Sequence, residues 1–118
     1  MGEGFRDLKT WQKAYNLALE IYKITKDFPK TEVYGLTSQI RRASISVSAN
    51  IAEGYERNHR KEYIQFLMIA KGSLGEVETL LMFARDLRYI TLDKYHEMEE
   101  QRQEVSKLLR GLIKSLAT

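Results

Sequence analysis

The chain has no cysteine, so neither a disulfide framework nor a thiolate-ligated metal site can form. It has one proline and seven glycines in 118 residues, which leaves little turn-forming material and disfavours a many-stranded fold. No run approaches the roughly 18 apolar residues of a membrane span. The first ten residues carry Glu3, Arg6, Asp7 and Lys9 without an apolar stretch, so no secretory signal is expected there and a cytoplasmic setting fits. A strong excess of one charge is also missing. Nineteen basic residues against 16 acidic ones leave a net +3 and a pI near 9.1. Any basic patch must therefore come from local clustering or from the assembly of several subunits. His59 and His96 stand in no two-histidine motif, and "KGSLGE" (71–76) is neither a phosphate loop nor a nucleophile elbow. No enzyme, cofactor or metal site is expected.

What is present is the material of one globular domain over residues 1–118, with 43% hydrophobic and 30% charged residues. The apolar residues recur at helical spacing. Leu8, Trp11, Ala14, Tyr15, Ala18, Ile21, Tyr22 and Thr25 form a first stripe, with Asp7 as its expected N-cap. "KDFPKTEVYG" (26–35) breaks the chain, and Thr37 is the expected cap beyond it. "YERNHRKEY" (55–63) is the next break, with Asn58 as cap. Tyr63, Phe66, Leu67, Ala70, Leu74, Val77, Leu80, Leu81, Ala84 and Leu87 then make a long stripe. A last one, starting between Thr91 and Asp93, runs through Tyr95, Met98, Val105, Leu108, Leu109, Leu112, Ile113 and Leu116. Its acidic first half and basic second half match the helix macrodipole.

"QIRRASISVSANIAEG" (39–54) is ambiguous. Ile45, Val47, Ala49 and Ile51 alternate with polar residues as in a strand, yet Leu36, Ile40, Ala43, Val47, Ile51 and Gly54 keep helical spacing. A lone strand among three helices has no ladder partner, so the segment is read as helix. The expected fold is all-α, an antiparallel up-and-down four-helix bundle with helices at about 7–27, 37–56, 59–88 and 92–116.

Within it, small residues gather where bulk would serve a core: Ala43, Ser44, Ser46, Ser48 and Ala49, then Ala70, Gly72, Ser73 and Gly75. An interior glycine costs about 1 kcal/mol relative to alanine, so they imply close backbone approach, either within the bundle or between subunits. Arg42, Ser46, Asn50 and Glu53 share a polar face. It reads as solvated surface with a Glu53–Arg57 pair, or as an ordered network at a contact. Arg57, His59, Arg60 and Lys61 interleave with Tyr55 and Tyr63, a mixture suited to phosphates and bases and equally ordinary in a charged loop. Arg41 and Arg42, then Arg85 and Arg88, are further basic pairs.

The runs "FRDLKTWQKA" (5–14), "LTSQIRRASISVSANIAEGYER" (36–57) and "KEYIQFLMIAKGSLGEVETLL" (61–81) resemble, in order, the four-helix-bundle proteins encoded within intervening sequences of bacterial 23S ribosomal RNA genes. The most specific parts are "RRA" at 41–43, "ANIAEG" at 49–54 and "FL-IAKGS-GE-ET" across 66–79. Ser48 departs from a position where such proteins often carry proline, and Gly75 from one that is often alanine. The resemblance implies a ring-like homo-oligomer, typically a pentamer. It extends distantly to the nucleic-acid-binding accessory protein of diversity-generating retroelements, which works with a reverse transcriptase. No catalytic residues come with either.

Two functions follow as expectations. In one, an oligomer binds RNA or DNA through Arg41, Arg42, Arg57, Arg60 and Lys61, while Ser46, Asn50, Glu53, Gly54, Gly72 and Gly75 serve an oligomer contact or polar network. In the other, a protein-interaction scaffold docks a partner such as a reverse transcriptase without touching nucleic acid.

Overall fold

All the expected amphipathic stretches, the ambiguous one included, form helices in the computed structural model, which describes residues 4–117. Glu3 of the charged N-terminal stretch lies outside them. The described residues hold four α-helices and no strand: α1 (Lys9–Thr25), α2 (Leu36–Glu56), α3 (Arg60–Asp86) and α4 (Leu92–Ala117), with 3-10 turns at Gly4–Asp7 and Lys30–Glu32. Helices consecutive in sequence pack on each other around a square, and α1 closes the ring on α4. The result is an up-and-down bundle about as long as its longest helix, 43 × 24 × 24 Å.

The core runs down the centre: Leu17 and Ile21 from α1, Ile40, Val47 and Ile51 from α2, Leu67, Leu74, Val77 and Leu81 from α3, and Met98, Val105 and Leu109 from α4. Each such side chain stabilises the fold by about 1.5–3 kcal/mol through burial. On α1 the sequence stripe is partly misplaced. Leu17 is buried, whereas Tyr15 and Tyr22 are exposed. Phe28, from the first loop, is buried at one end beside Tyr89, their rings 5.4 Å apart.

The second segment runs as unbroken helix through Ser48. Its buried serines bond back to their own helix, Ser44 Oγ to the Arg41 carbonyl at 2.9 Å and Ser48 Oγ to that of Ile45 at 3.1 Å. That leaves no polar atom unpaired on the apolar side, and the strand-like alternation yields to a face set by Ile40, Val47 and Ile51.

Three expected caps are corrected. Asp7 lies in the 3-10 turn and Leu8 holds the N-cap of α1, with no side-chain bond. Thr37 is buried inside α2, whose first turn is capped from outside: Glu32 Oε1 accepts the Leu36 N–H at 3.0 Å, and Oε2 accepts the Tyr89 hydroxyl at 2.8 Å. These two donors hold the Glu32 carboxyl below its ordinary pKa. A Cβ on Gly35 would stand 2.6 Å from Glu32 Oε1, so the glycine makes room for the cap. Asn58 turns the chain at φ 55°, and His59 holds the N-cap of α3. At α4, Thr91 Oγ1 accepts the Lys94 N–H at 3.1 Å, as the expected start implies.

Candidate nucleic-acid interface

The basic candidates fall into two groups. Arg41 and Arg42 lie in the first half of α2, while Arg57, Arg60 and Lys61 surround the turn into α3, about 24 Å away along the helix. The guanidinium of Arg41 is held in place: Nε donates to Thr25 Oγ1 at 2.8 Å, and Cζ lies 4.5 Å from the Tyr22 ring centre. Arg42 is exposed and makes no ion pair among the described residues. It lines an open hollow of about 400 Å³ with Tyr22, Val33, Ser38 and Ile45.

At the other end Arg57 is neutralised. Its Nε donates to Glu53 at 3.1 Å, its Nη1 stands 3.6 Å from Glu62, and its plane covers Phe66. Arg60 and Lys61 of the cluster "YERNHRKEY" are both exposed in the first turn of α3. Lys61 makes no ion pair among the described residues, and a cation at a helix N-terminus opposes the macrodipole. The antiparallel packing brings more charge here. A Cβ on Gly4 would lie 3.7 Å from Glu56, which sets the start of α1 beside the end of α2. Lys13 lies 3.6 Å from Glu104 and Arg102 lies 3.3 Å from Glu78, so α4 runs on toward the same end beside both α1 and α3. Exposed Lys9, Arg110 and Lys114 therefore lie toward the same end of the bundle as Arg60 and Lys61. Burial and the neighbouring Tyr55 raise the pKa of Tyr63 at this end, so its hydroxyl stays neutral.

The polar face of α2 divides as well. Asn50 Nδ2 donates to the Ser46 carbonyl at 2.8 Å and lies 3.0 Å from Ser46 Oγ, which bonds Ser73 Oγ of α3 at 2.9 Å. Ser46 thus ties α2 to α3 while Asn50 bonds back to it within α2, Glu53 pairs with Arg57, and Arg42 joins neither. The glycines separate too. Gly54 is buried against α3, where a Cβ would meet that of Phe66 at 2.8 Å. Gly72 and Gly75 face outward, and a Cβ on either would meet nothing within 4 Å. Packing within the bundle accounts for Gly54 and does not account for Gly72 or Gly75.

Sequence reasoning passed over Arg102. Only 8% exposed, it forms a two-bond clasp with Glu99 at 2.8 and 2.7 Å and reaches Glu78 at 3.3 Å. The signal was available, because position 102 falls in the apolar register of Tyr95, Met98, Val105 and Leu109. Among the described residues no group of three or more His, Cys, Asp or Glu is placed to hold a metal ion, and no helix is long and apolar enough to cross a membrane.

Comparison with known proteins places these features in a family. The family model described as "23S rRNA-intervening sequence protein" matches residues 6–111. A crystal structure of a protein of unknown function from the S23 ribosomal protein family of Bacteroides thetaiotaomicron VPI-5482 superposes with a TM-score of 0.82 at 28% identity, over 89% of this chain and 95% of that one. No curated protein matches.

Proposed function

The chain belongs to the 23S rRNA-intervening sequence protein family, and from that premise we propose that it is a homo-oligomeric, non-enzymatic accessory protein that holds RNA at one end of its bundle. The observation that supports this reading is that exposed Arg60, Lys61, Lys9, Arg110 and Lys114, from three separate stretches of chain, all lie toward one end of the bundle. Nothing in the packing of the bundle calls for a lysine in the first turn of α3, and phosphates would use it. A ring, pentameric as the family resemblance implies, repeats the patch and turns a modest +3 per chain into a strong local field.

Such binding rests on phosphate contacts and little base reading, so it weakens steeply with salt. Six to ten contacts correspond to a loss of about 10³–10⁵ in affinity between 50 and 200 mM. Fluorescence anisotropy with a structured RNA tests this. The double variant Arg60→Ala, Lys61→Ala is expected to lose at least about tenfold in affinity at low salt and to show a shallower salt dependence. The double variant Arg57→Ala, Glu53→Ala is expected to change binding little, because it removes an ion pair and leaves the local charge unchanged. Absence of binding at low salt, or a double variant that binds as the parent does, would sink the reading.

The scaffold reading draws on a different observation, the exposed large apolar side chains of α1, α2 and α3. A chain that captures a protein partner and binds no RNA at low salt would favour it.

A further inference from the structure

Two faces of the bundle carry large apolar side chains that stay well exposed in the single chain. On α1 and α2, Tyr15, Leu19, Tyr22 and Ile45 are between 38% and 47% exposed along the outer groove. On α3, Met68 and Ile69 form one apolar shoulder and Met82 and Phe83 another, all between 41% and 55% exposed. Between these shoulders lie Gly72 and Gly75, which leave the helix surface low over about one turn, followed by the small Thr79, whose hydroxyl bonds back to the Gly75 carbonyl at 3.2 Å. One face is a ridge, with Tyr15, Leu19 and Tyr22 stacked at i, i+4 and i+7, and the other is a trough.

We propose that copies of this chain join head to tail, the α3 trough of one copy covering the α1–α2 groove of the next. This rests on the homo-oligomer part of the reading above and adds which surfaces meet. Three observations carry it. First, the two faces lie at the same height. The Ser46–Ser73 bond sets α3 against α2, and the Arg41–Thr25 bond sets α1 against α2. Counting along the antiparallel helices from these bonds puts both Gly72 and Leu19 level with Val47, to within a turn. A closed ring whose axis runs along the bundles needs this, since rotation about that axis preserves height.

Second, the areas agree with what an interface needs. A standard interface takes about 800 Å² from each partner, a little over half of it apolar. Four half-exposed side chains per face, each offering up to roughly 200 Å², present on the order of 400 Å². Third, the charges are complementary. Arg42 stands beside the groove and Glu76 beside the trough, and neither makes an ion pair among the described residues. Within one chain they line the same polar hollow, so they too share a height. Across a head-to-tail contact Arg42 of one copy meets Glu76 of the next. Two different faces meeting in this way generate a ring, or a filament if the rotation does not close.

The natural absence of cysteine makes the test clean. Chains carrying Ile69→Cys and chains carrying Leu19→Cys are co-assembled and treated with a short bis-maleimide. A cross-linked dimer is expected in the mixture, with neither variant cross-linking when alone. Cross-linking of the Ile69→Cys chain alone would show a two-fold α3 contact and overturn the proposal. An oligomer in light scattering with no cross-link in the mixture would also overturn it, while leaving the homo-oligomer reading intact. A monomer at micromolar concentration would overturn both. As a second measurement, Gly72→Arg is expected to convert the oligomer to monomers with unchanged helix content, because its side chain begins in open space. An assembled Gly72→Arg protein would overturn the proposed contact.

Discussion

Replacing Arg102 by alanine is expected to destabilise the protein by about 3 kcal/mol, toward the low end of the range for breaking a buried ion pair. The cost comes less from the bonds lost than from the partner left behind. Glu99, its side chain 15% exposed, would keep Gln103 as its remaining donor, at 3.2 Å. Glu78 is nearly half exposed and would turn to water, which holds the cost to the lower figure. In thermal unfolding at a fixed protein concentration, the loss corresponds to a fall in Tm of roughly 10 °C. Replacing both partners, Arg102→Met with Glu99→Leu, is expected to lie within about 1 kcal/mol of the parent, since two apolar side chains in place of a buried pair leave no charge behind. A single variant as stable as the parent, or a double variant as weak as the single, would show that the clasp does not work this way.

The same clasp sets a pH dependence. The hydrogen bonds from Arg102, opposed by burial, lower the Glu99 pKa from its ordinary value. A carboxylate lowered in the folded state contributes stability that is present above its unfolded pKa, near 4.3, and is lost as pH falls through the folded value. Glu32 is lowered by Leu36 and Tyr89 and acts in the same direction. Stability is therefore expected to decline as pH drops below about 4.3, in urea titrations at stepped pH. Glu99→Gln is expected to flatten part of that decline.

Arg102 also marks where reading the sequence stops short. The four helices and their antiparallel order were legible because core positions recur at three and four residues, and that signal survives even in the serine-rich second helix. An arginine in the same register carries no such label. Whether it lies inside depends on Glu99 one turn earlier on its own helix and Glu78 on a neighbouring one. The caps failed for a related reason. Thr37 and Asn58 are good caps by type, but the bond to the start of α2 comes from Glu32 in the preceding turn, a choice made by loop geometry. On α1, Tyr15 and Tyr22 fit the stripe as well as Leu17 does. Only the position of α2 decides which side is covered. The basic candidates were legible as residue types and not as a site, because Arg41 and Arg60 belong to opposite ends, and Lys9, Arg110 and Lys114 join only through the topology.

Glycine shows the same limit most sharply, and a pair of substitutions exposes it. Gly54→Leu is expected to destabilise the bundle by about 3 kcal/mol or more, at or beyond the upper end of overpacking costs. Its Cβ alone would stand 2.8 Å from that of Phe66 and 3.2 Å from the Tyr63 carbonyl oxygen. Neither can give way without moving α3 off α2, the most extensive helix pair in the molecule. Gly54→Ala is a finer probe, because two effects oppose. Alanine is favoured in a helix by about 1 kcal/mol, while the crowding at Phe66 costs about 1–3 kcal/mol. The net expectation is a loss of up to about 2 kcal/mol. Gly111→Ala isolates the first effect. It lies in α4, where a Cβ would meet nothing within 4 Å, so it should stabilise by about 1 kcal/mol. Urea denaturation of the two alanine variants at one protein concentration measures the difference. Opposite signs at Gly54 and Gly111 are the expected result. A Gly54→Ala protein as much stabilised as Gly111→Ala would mean that α2 and α3 are not held at the distance the structure gives them.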